Sequence, residues 1–235
     1  LALVTSAFAA PAQAIIAGAN AQLGELPSVV AIGNRTVYAS EGNLINAAFC
    51  GGVLIGQRLV LTAAHCVVDF NTTAKQPRVS APAELVVGGG VLSLNDMKDT
   101  YVANVLRVDT TTEYVTSLIT SNGNNSTNDI AVLQIDATIP GTQPVALATA
   151  AQVAAIEKSP SILTTAGWGD TDPQARGSYL PQLLRTSVTS VSDGLCANPN
   201  STFPISSPDG LSSRTIHGLN TGDAQYFDAP SMLCA

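Results

Sequence analysis

The stretch that most constrains this chain is residues 48–68, Ala-Phe-Cys-Gly-Gly-Val-Leu-Ile-Gly-Gln-Arg-Leu-Val-Leu-Thr-Ala-Ala-His-Cys-Val-Val. Two apolar, partly β-branched runs flank Gly56-Gln57-Arg58. That pattern reads as a hairpin of two buried strands around a glycine-containing turn. The second run, Leu59-Val60-Leu61, ends in Thr62-Ala63-Ala64-His65-Cys66. A histidine is thereby set just past the end of a buried strand, on small residues that let the backbone pack closely. Cys66 can reach back to Cys50, and a disulfide there would clamp the hairpin and fix where His65 points. Taken alone, the stretch also fits a core histidine beside a structural disulfide.

Composition sets the scale. The chain has 235 residues, 46% of them hydrophobic, enough to bury a sizeable core in one large domain or two small ones. Charged residues make up only 11% and the net charge is −7, so the basic footprint of a nucleic-acid or anionic-membrane binder is absent. The four cysteines, Cys50, Cys66, Cys196 and Cys234, form no Cys-x-x-Cys. With two histidines in all, this argues against a zinc site. Four cysteines allow three pairings; the hairpin favours Cys50–Cys66, which leaves Cys196–Cys234. Disulfides imply an oxidising compartment.

Residues 1–14 are apolar and end in small residues, with Ala7-Phe8-Ala9 and Ala12-Gln13-Ala14 both fitting a small-x-small cleavage pattern. They read as the remnant of a secretory signal peptide, and a secreted protein is expected. The run is too short for a transmembrane helix, and no later stretch qualifies. Sequons at Asn34, Asn71, Asn124, Asn125 and Asn200 lie in polar, turn-like stretches able to carry glycans. Asn and Thr are abundant enough here for chance matches.

Strands are expected at Ser28–Ile32, Ala83–Val87, Val102–Val108, Ile130–Ile135, Ser161–Gly169 and Leu183–Val191. Residues 33–47, 70–82 and 121–128 read as loops, and Gly88-Gly89-Gly90 as a tight turn. Asp129 stands at the mouth of a buried strand, where a carboxylate is costly unless something pairs with it.

Taken together, these segments resemble the chymotrypsin/trypsin-like serine proteases. Cys-Gly-Gly followed by Thr62-Ala63-Ala64-His65-Cys66 resembles the family's His segment, and Asn128-Asp129-Ile130-Ala131 its Asp segment. Ala166-Gly167-Trp168-Gly169 resembles the first strands of the second barrel, and Ile15-Ile16-Ala17-Gly18 the mature N-terminus. The resemblance implies an all-β fold of two antiparallel six-stranded Greek-key barrels. The first would span about residues 28–138 and the second about 148–235, after a linker at Pro140–Leu147, within a protease domain of residues 15–235 whose second barrel is incomplete.

It also implies roles. His65 would act as general base and acid, and Asp129 would hold its Nδ1 proton. A freed Ile15 ammonium would fold inward onto a buried Asp. Ala14, not Arg or Lys, precedes Ile15, so a cut other than a trypsin-like one would expose it. No cofactor is implied. Asn95, Asp96 and Asp99 lie where some relatives bind calcium, but the ligand pattern is poor and no metal is expected.

In the family, an element like Met232-Leu233-Cys234-Ala235 precedes Gly-Asp-Ser-Gly-Gly-Pro, which carries the nucleophile. Gly222-Asp223-Ala224 imitates that motif with Ala for Ser, but Gln225 and Tyr226 replace its glycines. The chain therefore reads as a piece of a longer product, inactive on its own. The long stretch from Cys196 to Cys234 reads as an inserted loop with His217 as a surface residue. The expected function is a secreted serine endopeptidase, monomeric, acting on proteins or peptides, with no nucleic-acid or membrane partner. The alternative is a catalytically inactive homologue that binds or inhibits. The order His, Asp, Ser fits this family and neither subtilisins nor α/β-hydrolases. Cleavage preference is not legible.

Overall fold

A computed structural model describes residues 18–123, 127–158, 161–169, 180–198, 200, 202–206 and 213–217. Its strands are β1 Ala19–Asn20, β2 Val29–Asn34, β3 Ala48–Gly56, β4 Leu59–Thr62, β5 Val68–Asn71, β6 Gln76–Val79, β7 Leu85–Gly89, β8 Val102–Thr110, β9 Ala131–Ile135, β10 Ile162–Gly167, β11 Leu184–Thr189, β12 Thr202–Ser206 and β13 Ser213–His217. Four short helices interleave: α1 Arg35–Glu41, α2 Thr112–Thr120, α3 Ala150–Lys158 and α4 Asp193–Ala197.

Six strands close into an antiparallel barrel in the order β2-β3-β4-β9-β8-β7. Its interior is filled from every strand: Val30 and Ile32, Leu54, Val60, Val87, Val105, Leu133 and Ile135 are nearly or fully buried in one cluster. The hairpin expected from residues 48–68 is present, with β3 and β4 joined through Gln57-Arg58 and Gly56 opposite Leu59. Gly52 lies in β3 where an added Cβ would sit 2.7 Å from Val60 Cγ1. The glycine lets the strand lie flat on the core. The fold class is the all-β barrel architecture expected.

Beyond the barrel, β1, β11 and β10 form an open three-stranded antiparallel sheet, and β12 pairs with β13. The open sheet is docked on the barrel's rim. Leu183 N–H donates to Leu92 O at 2.8 Å, Leu94 N–H to Pro181 O at 2.9 Å and Trp168 Nε1–H to Leu92 O at 2.9 Å. The Trp168 ring packs against a second apolar cluster built on Leu44, Val86, Leu94 and Met97.

Several local expectations are corrected. Gly88 and Gly89 are not a turn; they lie buried inside β7, because Leu44, Met97 and Val30 occupy the space where their Cβ atoms would be. Only Gly90 turns the chain, at φ +76°, with Pro140 O packed against its Cα face. The loop read at 33–47 contains α1, capped at its start by Asn34 Oδ1, which accepts from Val37 N–H, and at its end by left-handed Gly42. Residues 70–82 hold the hairpin β5–β6 rather than a bare loop. The inserted stretch after Cys196 likewise contains a hairpin, β12–β13, with His217 in its second strand.

Candidate active site

β4 and β9 are antiparallel neighbours, with Thr62 opposite Ala131. His65 follows the end of β4 and Asp129 precedes the start of β9, so both leave the barrel at the same end. A separation of 64 residues is thereby reduced to a side-chain contact. After β4 the chain turns in one 3₁₀ turn, Ala64–Cys66, anchored by the fully buried Ala64. Cys66 is disulfide-bonded to Cys50 of β3, with 6.0 Å between the Cα atoms. The turn carrying His65 is thus tied to the barrel on both sides.

Asp129 holds His65 at two points. Its Oδ2 lies 2.7 Å from His65 Nδ1, and its Oδ1 accepts the His65 backbone N–H at 2.8 Å. An ionised carboxylate can only accept, so Nδ1 carries the proton and the tautomer is set. Nε2 is left as the acceptor, on an imidazole whose side chain is 63% exposed, against 25% for Asp129. The ring faces outward and the acid stands behind it. That arrangement suits a base that takes a proton from an incoming group and is stabilised as imidazolium.

Beneath Asp129 lies Tyr114 of α2, buried, a residue the sequence reading did not select. Burial raises its pKa, and the Asp129 charge adds to the rise. The signal that could have found α2 was Thr111 ahead of Glu113 and Tyr114, an N-cap with an acid in the first turn.

A cleft of about 790 Å³ opens on the same side. Gly52, Thr62 and Asp129 line it from the barrel; Thr164, Gly167 and Trp168 line it from the open sheet.

Other expected site residues fall as follows. Cys196 is fully buried on α4 and disulfide-bonded; Cys234 lies outside the described residues, as do Ile15, Asn124 and Asn125. Asn34, Asn71 and Asn200 are exposed. Asn71 Oδ1 accepts from Thr73 N–H and Ala74 N–H, an Asx turn at the tip of β5–β6. Cys50, His65 and Cys66 cluster at metal-ligand spacing, but both sulfurs are spent in the disulfide. Among the described residues, no helix is long and apolar enough to cross a membrane.

Residues 15–216 match the family model described as Trypsin. Among curated proteins, the chain is 28% identical over 186 residues to Trypsin zeta of Drosophila erecta, covering 77% of this chain and 57% of that protein. It is 31% identical over 186 residues to Serine protease SP24D of Anopheles gambiae, covering 77% of this chain and 55% of that protein. It is 28% identical over 189 residues to human Chymotrypsin-like elastase family member 1, covering 78% and 62%. The chain thus spans a little over half the length of these relatives.

Proposed function

The chain belongs to the trypsin family of serine proteases, and from that premise we propose that it contributes the His and Asp of a catalytic triad in a secreted endopeptidase. His65 takes the proton of a serine hydroxyl through Nε2, and later returns it to the leaving amine. Asp129 fixes the Nδ1–H tautomer and stabilises the imidazolium. The serine attacks the peptide carbonyl, forming an acyl-enzyme that water then hydrolyses. The substrates are proteins or peptides that enter along the cleft between the barrel rim and β10.

One observation carries this reading: both oxygens of Asp129 are committed to the same residue, one to its ring and one to its backbone. A structural pair needs only one of these bonds. The backbone bond fixes the carboxylate, so that its other oxygen holds the ring in one orientation, as a proton-transferring base requires.

The test is peptidase activity of the full-length product with His65→Ala and Asp129→Asn. Loss of a triad member lowers kcat by about 10⁴-fold or more in such enzymes. That loss, with unchanged melting temperature, is the expected result. Full-length protein that folds but shows no peptidase activity and no labelling by a serine-directed fluorophosphonate favours an inactive, binding homologue instead.

A further inference from the structure

Asp129 sits in a tight turn between a left-handed residue and the start of β9. Asn128, just before it, has φ +55°, a left-handed conformation that asparagine adopts more readily than most residues with a side chain. Ile130 N–H donates back to Asn128 O at 2.8 Å, closing a γ-turn centred on Asp129. Two consecutive threonines at the end of β8 grip it from outside.

Thr110 Oγ1 donates to Ile130 O at 3.2 Å, and Thr111 Oγ1 donates to Asn128 O at 3.2 Å. The carbonyls on both sides of Asp129 thus each accept a long hydrogen bond from a neighbouring hydroxyl. The β8–β9 register, Thr110 opposite Ala131, places them there. Thr111 Oγ1 also accepts Tyr114 N–H at 3.2 Å and so caps α2. One hydroxyl both starts the helix and fastens the turn that carries the acid.

The geometry points to Thr111 as a positioning residue for Asp129 and, through it, for His65, with Thr110 as its companion. This rests on the reading of His65 and Asp129 given above. Thr111 is not among the residues lining the cleft, and its hydroxyl bonds to Asn128 O and Tyr114 N–H rather than to the imidazole. It acts by keeping the Asn128 carbonyl, and hence the Asp129 side chain, in one orientation. Capping alone would make Thr111 a stability residue; the bond to Asn128 O makes it more than that.

The two roles can be separated. Glycine is a nearly neutral replacement at a helix N-cap, so Thr111→Gly spares α2 while removing the hydroxyl. Thr111→Ser keeps both bonds. Thr110→Val removes the other grip without touching the cap. The readout is proton NMR of the full-length product. The Nδ1 proton shared by His65 and Asp129 resonates far downfield when held, and is lost to exchange with water when the bond loosens; Asp129→Asn marks its identity by removing it.

Wild type and Thr111→Ser are expected to show the resonance. Thr111→Gly is expected to lose it while keeping its helix signal by circular dichroism, and Thr110→Val to broaden it. Retention of an unchanged resonance in both Thr111→Gly and Thr110→Val overturns the inference, as does its loss in Thr111→Ser to the same extent as in Thr111→Gly. If the resonance follows the threonines but His65→Ala leaves peptidase activity intact, the proposed function fails and the positioning role stands. If His65→Ala abolishes activity and the resonance ignores the threonines, the positioning role fails alone.

Discussion

The six-stranded barrel and the three-stranded sheet β1-β11-β10 are made of the same kind of residue in the same kind of ladder, yet among the described residues only the barrel closes around an interior. In the barrel every strand has two neighbours, and β7 is buried at all five positions. In the open sheet β10 has one neighbour among the described residues and no buried position, and Ile162 at its start is 78% exposed. Strand content does not decide burial; closure does. His65 and Asp129 both hang from the barrel's end, while Thr164, Gly167 and Trp168 of the open-sheet side line the cleft opposite them.

The comparison can be broken at its strongest point. Leu133, fully buried at the barrel's centre, changed to Ala should destabilise by about 2–5 kcal/mol, whereas Ile162→Ala should fall within about 0.5 kcal/mol. Chemical denaturation followed by circular dichroism measures both. Equal losses would mean that the open sheet is covered as well as the barrel.

A smaller effect tests whether closure or the covalent clamp holds the barrel. Cys50→Ala with Cys66→Ala removes a bridge across 16 residues, and chain-entropy arguments put the loss at about 3 kcal/mol. The same unfolding assay should give that value with a single transition. A double variant that does not fold would show the hairpin to depend on its clamp rather than on its core.

The smallest effect is electrostatic and sets the two regions side by side. Glu84, on the barrel side, has a pKa lowered from 4.5 chiefly by the hydrogen-bonding Arg78 guanidinium. Glu25, beside the open sheet, has one lowered from 4.5 chiefly by its bond to Gln22 N–H. A carboxyl with a depressed folded-state pKa favours folding above its unfolded pKa. That contribution disappears as pH falls through the lower, folded value. Melting temperatures of Glu84→Gln and Glu25→Gln should therefore sit slightly below wild type at neutral pH and converge with it in acid. Both groups are exposed, so high salt should shrink the gap. A gap that widens in acid reverses the sign and refutes the assignment.

What was legible in the sequence follows the same division. The 48–62 hairpin could be read because its strands face the core and carry continuous apolar runs; the His and Asp segments could be read because they adjoin the ends of such strands. The β5–β6 hairpin could not. Val68 and Phe70 of β5 alternate with polar neighbours over only four residues, and β6, Gln76-Pro77-Arg78-Val79, is mostly exposed and carries a proline, so the alternation does not continue into the partner strand. The glycines of β7 misled because a glycine required by packing looks the same, in one sequence, as a glycine required by a turn. The helices α1 and α2 are too short for a clear period, and neither was expected. The grip of Thr110 and Thr111 on the Asp129 turn depends on strand register across β8 and β9, which no local pattern encodes.

Trp168 gives the molecule an optical property of its own. It is the single tryptophan of the chain, and it stands at the seam, half-buried against the Leu44–Met97 cluster with its indole N–H bonded to Leu92 O. Its emission is therefore a built-in gauge of whether the open sheet is seated on the barrel. Partial opening of that seam would redden the fluorescence while the barrel's far-ultraviolet signal stayed in place, so the two parts of the fold can be followed separately without any label.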